Sequence, residues 1–169
     1  MPATTSLRDY QIALSKRLQT AAAGTRVASK LGLRVGGEAW VVDLKEAAEV
    51  IPVPPVSPVP LARSWFKGVA NVRGTLYSVT DLAALLGLPA VALSDQARLL
   101  LVAERFRAGA ALLVDGSFGL RNASEFTPQP VSAGGRWVRA QYADADGKLW
   151  KELDVASLIQ DEAFLEVSL

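Results

Sequence analysis

The sequence predicts a mostly β protein: two small five-stranded β-barrels in tandem, over about residues 30–90 and 97–160 of a domain running 29–169, behind an N-terminal helix and linker in residues 1–28. Three observations carry that prediction. From Lys30 onward apolar residues fall at a spacing of two in short runs bounded by Gly, Pro, Asn and Asp. Spacings of three and four over a long stretch occur in residues 6–23. The order of elements, with several of the residues themselves, recurs after about 70 positions.

In residues 6–23, Leu7, Tyr10, Leu14 and Leu18 form a narrow apolar stripe between a possible Ser6 N-cap and Gly24, an amphipathic helix that docks on its own body or on a partner. Leu31, Leu33 and Val35 then alternate with small or polar residues. Gly36-Gly37 supplies a hairpin turn, and Ala39 to Leu44 returns as a strand. After a short segment from Lys45 to Ile51, five prolines in nine residues, Pro52 to Pro60, form an extended connector that cannot donate ladder hydrogen bonds. No basic residue flanks those prolines as an SH3 ligand would need. Val69 to Arg73 and Leu76 to Thr80 are strands around Gly74-Thr75, and Asp81 caps a short helix that stops at Gly87. The second round comprises Leu99 to Ala103, Ala108 to Val114, Arg136 to Ala143 and Lys148 to Leu153 as strands, with Asp154 capping a helix through Ile159.

The two rounds match in residues. Leu76, Asp81, Leu82-Ala83 and Leu85-Leu86 recur 73 positions on as Leu149, Asp154, Val155-Ala156 and Leu158-Ile159. Val41-Val42-Asp43 recurs 72 positions on as Leu113-Val114-Asp115. Such agreement implies a tandem duplication. Each copy holds about five short antiparallel strands, too small for a large core of its own, so each is expected to close as a small barrel and pack on its twin.

Composition narrows function by exclusion. Of 169 residues half are apolar and 21% charged, enough to build a packed core, and the net charge of +1 makes no case for nucleic acid or an anionic membrane. Neither Cys nor His is present, which removes disulfides, Cys/His zinc sites, thiol nucleophiles and imidazole bases. The glycines fit neither GxxxxGK[ST] nor GxGxxG, and Ser64, Ser78 and Ser117 have no histidine to activate them. No cofactor and no metal are expected. Asp43, Asp81, Asp115 and Asp154 end strands at repeat-equivalent places, which fits capping of turns and helix starts rather than a catalytic pair. With no signal-peptide pattern in Met1 to Asp9 and no uncharged apolar run long enough to span a bilayer, a cytoplasmic protein is expected. Residues 1–34 are strongly basic and 144–169 strongly acidic, so the two ends either meet or form separate solvated surfaces.

One segment departs from this plain pattern, Trp65-Phe66-Lys67-Gly68-Val69-Ala70-Asn71-Val72-Arg73-Gly74. Two aromatics precede a strand ending in Asn, Arg and Gly. Either Asn71 and Arg73 bond the turn, or Arg73 reaches a partner protein.

Here the chain resembles the CheW-like family of chemosensory coupling proteins. The family's Gly-Val, small residue, Asn-Leu-Arg-Gly, apolar run, Pro-Val and Asp-Leu is matched by Gly68-Val69-Ala70-Asn71-Val72-Arg73-Gly74, Leu76 and Ser78-Val79-Thr80-Asp81-Leu82. Ser78 replaces the usual Pro and Val72 the usual Leu, and residues 116–135 follow the pattern poorly. The resemblance covers about residues 30–160 and implies two packed five-stranded barrels of the SH3-like type. It also implies a scaffold without catalysis, joining a methyl-accepting receptor to the regulatory domain of a CheA-type histidine kinase. The long N-terminal helix, the proline connector and Trp65-Phe66 look most like the branch serving type IV pilus twitching motility, whose partners would be a PilJ-like receptor and a ChpA-like kinase at membrane-associated arrays. A flagellar chemotaxis array is the alternative. By motif position the resemblance makes Ala47, Glu49, Asn71, Arg73 and Gly74 binding residues, with the strand from Val69 to Arg73 walling an apolar groove between the barrels that takes a receptor helix.

Overall fold

In a computed structural model, which describes residues 11–15, 29–131 and 135–169, the chain forms two six-stranded mixed sheets. The strands are β1 (Ser29–Val35), β2 (Glu38–Asp43), β3 (Ala47–Pro52), β4 (Val56–Ser57), β5 (Phe66–Val72), β6 (Thr75–Asp81), β7 (Arg98–Val102), β8 (Ala110–Val114), β9 (Gly116–Asn122), β10 (Thr127–Gln129), β11 (Val138–Ala143) and β12 (Leu149–Leu153). Residues 11–15 are helical (α1) with Ile12 and Leu14 exposed; the rest of the helix expected over 6–23 lies outside the described residues. Three short helices follow, α2 (Leu82–Leu85), α3 (Val155–Gln160) and α4 (Glu162–Leu165).

The first sheet has the order β10-β11-β12-β2-β1-β9 and the second β3-β7-β8-β6-β5-β4. Read from β9 and from β3, the two orders are one plan in which each strand corresponds to the strand six places along the chain. β2 pairs in parallel with β12, and β6 in parallel with β8. Each copy of the repeat therefore lends its opening hairpin to the other copy's sheet. This corrects the expected tandem barrels over 30–90 and 97–160, because both sheets draw on both halves of the chain.

The physical cause is burial. Leu31 and Leu33 in β1, Ala39 to Val42 in β2, Leu99 to Val102 in β7 and all of β8 are inaccessible, so these hairpins are apolar on both faces and belong at the centre of the molecule. The hairpins β5–β6 and β11–β12 are only partly buried and lie outside them. One core joins Leu33 and Val42 to Leu100, Leu112, Leu82 and Leu158, with Trp40 and Trp137 on it. A smaller one, around Ala39, Val41, Phe126 and Trp150, fills the far face of the first sheet.

Nor are the barrels closed or five-stranded. The second sheet ends in β3 and β4, the first in β9 and β10, and no ladder joins those edges among the described residues. β4 is two residues long and lies among prolines that have no N–H to donate, so it cannot zip up against β3.

Local chemistry sets the turns. In the β1–β2 hairpin Val35 pairs with Glu38 around Gly36-Gly37, both at positive φ, a type I′ loop that suits the strand twist. Asp81 accepts a hydrogen bond from Ala84 N at 3.0 Å to start α2, and Asp154 one from Ser157 N at 3.1 Å to start α3. Asp43 accepts from Lys45 N and Asp115 from Gly36 N, so all four repeat aspartates serve turns and helix starts.

Candidate functional site

The motif segment makes β5 and its turn into β6. Gly68, with φ +131°, is obligatory: a Cβ there would lie 1.9 Å from Ser57 O, so only glycine lets β4 approach β5. At the far end Val72 pairs with Thr75, leaving Arg73-Gly74 as a two-residue loop with φ +50° and +86°. Glycine adopts that conformation freely, whereas arginine in the left-handed region is uncommon. The loop is held by Asn71, whose Oδ1 accepts from Gly74 N at 2.9 Å. Between the two readings of Asn71 and Arg73 the structure divides the work, since Asn71 bonds the turn and Arg73 does not.

Arg73 instead projects outward and pairs with Glu49 on β3, one contact being Nη1 to Oε1 at 3.4 Å. Their side chains are 67% and 44% exposed. The hydrogen bond from Arg73 and the charge of Glu49 raise the guanidinium above its ordinary value. β3 and β5 are four places apart in the sheet, so this pair spans a strongly curled sheet where ladder bonds do not. Ala47 pairs with Val102 at the head of β3, and half-buried Val69 pairs with Ser78. Ala47, Glu49, Asn71, Arg73 and Gly74 thus gather at one end of the second sheet, and Val69 lies further down β5.

The inter-sheet groove is elsewhere. A groove of about 470 Å³ is walled by Trp40, Trp65, Trp137, Leu85, Leu86 and Leu88, and none of the six candidate residues lines it. The strand from Val69 to Arg73, expected to wall an apolar groove between the barrels, does not line this one. Its rim is already paired, Lys151 to Glu38 at 3.1 Å, Arg63 to Glu166 at 3.8 Å and Arg136 to Asp161 at 3.2 Å. Trp137 donates Nε1–H to Asp161 at 2.8 Å. The tryptophans of this groove carry a sequence signal that the motif does not include. Trp65 O accepts from Asp81 N, and Trp137 O from Asp154 N, both at 2.7 Å, so the two are repeat partners 72 positions apart.

Glu46, in the crossover from β2 to β3, is buried. It accepts from Arg139 and, at 3.0 Å, from Val155 N. Arg139 also bonds Asp154 at 3.0 Å. Every member of this network has a partner, and its work is to fix α3 and the crossover from β2 to β3. Among the described residues no group of three or more acidic side chains is placed to hold a metal ion.

Comparisons with known proteins follow the same lines. A family model described as a CheW-like domain matches residues 30–163. The chain is 39% identical over 94 residues to protein PilI of Pseudomonas aeruginosa, an alignment covering 56% of this chain and 52% of PilI, so the match spans about half the length of that relative. The crystal structure of scaffolding protein TtCheW from Thermoanaerobacter tengcongensis superposes with a TM-score of 0.64 over 80% of this chain and 94% of that one, at 17% identity, a likeness of fold.

Proposed function

The chain belongs to the CheW-like domain family, and from that membership we propose that it couples a methyl-accepting receptor to a CheA-type histidine kinase in a system controlling type IV pilus twitching motility. Proteins of this family are non-catalytic scaffolds, and this one is homologous to PilI, which supports the pilus assignment over a flagellar array. The partners proposed are a PilJ-like receptor and a ChpA-like kinase regulatory domain. The place proposed is the cytoplasmic face of a membrane array; among the described residues no helix is long and apolar enough to cross a membrane.

The observation that carries the reading is the exposed Arg73–Glu49 pair on a turn that costs strain to hold. An exposed ion pair adds little to folding, since water and salt screen it. Arginine in the left-handed region gives up stability that glycine would keep. Residues kept against folding preference at an exposed turn fit a binding role, in which the guanidinium anchors a partner and Ala47, Glu49, Val69, Asn71 and Gly74 shape its surroundings.

The test is binding of the purified chain to the receptor's cytoplasmic hairpin and to the kinase regulatory domain. Arg73→Ala is expected to weaken one of them by roughly 2 kcal/mol, with the thermal midpoint within a few degrees of the parent. Arg73→Gly is expected to bind as poorly while folding at least as stably, because glycine suits the turn. Parent-like binding by both variants removes Arg73 from the site.

A further inference from the structure

The residues that the motif assigns to binding lie on two sides of an element it does not mention. At the end of the second sheet where β3 begins with Ala47, β7 ends with Val102, β8 begins with Ala110 and β5 turns into β6 at Arg73-Gly74. The loop from Ala103 to Gly109, joining β7 to β8, therefore stands between Ala47 and Arg73. It is tied to both sides. Ala103 N donates to Glu46 O at 3.0 Å and Arg105 Nε to Lys45 O at 2.9 Å, while Ser78 N donates to Gly109 O at 2.8 Å.

Two properties of this loop point to a ligand. Four non-glycine residues among those described have positive φ, and two of them are exposed arginines on neighbouring turns at this end, Arg73 at +50° and Arg107 at +52°. Strained backbone of this kind gathers where a surface is kept for binding. The charge is also one-sided. Lys45, Arg105 and Arg107 are exposed here against Glu104, beside the exposed Arg73–Glu49 pair. Arg105 lies over the Phe106 ring at 4.3 Å and is exposed, its Nε bonded to Lys45 O and its terminal nitrogens left for a partner.

We propose, building on the scaffold reading above, that the β7–β8 loop is the centre of the partner-binding surface, and that Arg105 and Arg107 select an acidic face of a helix of the receptor hairpin. Leu76, 65% exposed beside this loop, supplies the apolar contact such a helix needs. An anionic bilayer would meet the same arginines, but Glu49 and Glu104 among them oppose a flat negative surface and suit a patterned one.

The experiment measures binding of the full chain to the purified receptor hairpin at low and at high salt, with Arg73→Ala in parallel. Arg105→Gln/Arg107→Gly, in which glycine keeps the left-handed turn, is expected to lose about tenfold in affinity at low salt, the loss shrinking at high salt as charge is screened. Arg105→Glu/Arg107→Glu is expected to lose about a hundredfold. Should the first double variant not fold, Arg107→Gly alone carries the test, with a smaller loss of the same salt dependence. Affinity within twofold of the parent at both salts, while Arg73→Ala binds poorly, overturns the role of this loop and leaves the scaffold reading standing. Failure of the parent to bind overturns both. Arginine-dependent binding to vesicles containing anionic phospholipid, without binding to the hairpin, assigns the surface to a membrane and overturns the proposal.

Discussion

Glu152 in β12 and Val79 in β6 stand at the same place in the two copies of the repeat, 73 positions apart, and the sheets around them solve opposite problems. In the second sheet Val79 is wholly buried, the Arg73–Glu49 pair is exposed, and the buried carboxylate is instead Asp81, 4.0 Å from Lys67 Nζ. In the first sheet Glu152 is 3% exposed and takes Lys30 Nζ at 2.5 Å and the Tyr142 hydroxyl at 3.0 Å. Burial and the hydrogen bond to Glu152 push the Tyr142 hydroxyl up to about 12. The difference teaches where charge can serve which purpose. A buried charge must be fully partnered and then specifies structure, whereas an exposed pair contributes little to folding and is free to exchange partners.

The largest test of this duplicated plan is to cut it. Because each copy's opening hairpin sits in the other's sheet, residues 29–90 and 97–169 expressed separately are expected to be unfolded by circular dichroism and amide exchange, and mixing them is expected to restore structure. A folded isolated half would show that the exchange of hairpins is dispensable.

Removing the buried acid comes next. Glu152→Val places the second sheet's residue in the first sheet and strands Lys30, and is expected to cost about 3 kcal/mol in denaturant unfolding. The double change Lys30→Met/Glu152→Val makes this position alike in the two sheets and is expected to recover most of that loss. No recovery would mean that the triad contributes more than its own satisfaction.

The repeat-equivalent caps should then separate. Asp81 is completely buried and, besides capping α2, accepts from Val91 N at 2.9 Å. Asp81→Ala leaves that N–H unsatisfied and is expected to cost about 2 to 3 kcal/mol, against about 1 for Asp154→Ala, whose carboxylate is partly exposed. Equal losses would reduce both residues to simple caps.

The smallest effects are in pH. Asp144, Asp154 and Asp161, all in the second copy of the repeat, are held below the usual carboxylate range. For Asp144 the leading cause is the Trp150 hydrogen bond, and for Asp161 the Ala163 N–H. For Asp154 burial acts the other way and is outweighed by hydrogen bonds from Ser157 and Arg139. Depressed values mean that the unfolded chain binds protons first, so this stability is present above about pH 4 and is lost as pH falls through the folded values. Amide exchange in β11 and β12 is expected to accelerate before that in β5 and β6 as pH drops. Tyr142 acts at the other extreme: its raised value means that stability declines as pH climbs from about 10 towards 12, and Tyr142→Phe is expected to remove that decline.

Much of this molecule is legible along the chain because the forces involved are local. Alternation at Leu31, Leu33 and Val35, the Gly36-Gly37 turn, the turn expected at Gly74-Thr75 and found one residue earlier at Arg73-Gly74, and the caps at Asp81 and Asp154 each depend on residues within a few positions. The same holds for the motif that locates Arg73. Harder to read are β3, hidden before the prolines, and β9 and β10, where Gly116 to Gln129 lack an alternating pattern and pair only as sheet edges. The site is half legible: the motif names Glu49 and Arg73, 24 positions apart, but not that they meet, nor that the Ala103 to Gly109 loop stands between their strands.

Local period and turn chemistry by themselves therefore determine most of the strands, the duplication and the family resemblance. Tertiary structure alone decides which hairpin joins which sheet, that Lys30 finds Glu152 across 122 positions, and that the tryptophan groove and the Arg73 end are separate places. The reason is that two-sided burial is a property of the closed chain. A strand apolar on both faces reads the same whether it pairs with its own half or the other, and only packing of the whole core chooses between them.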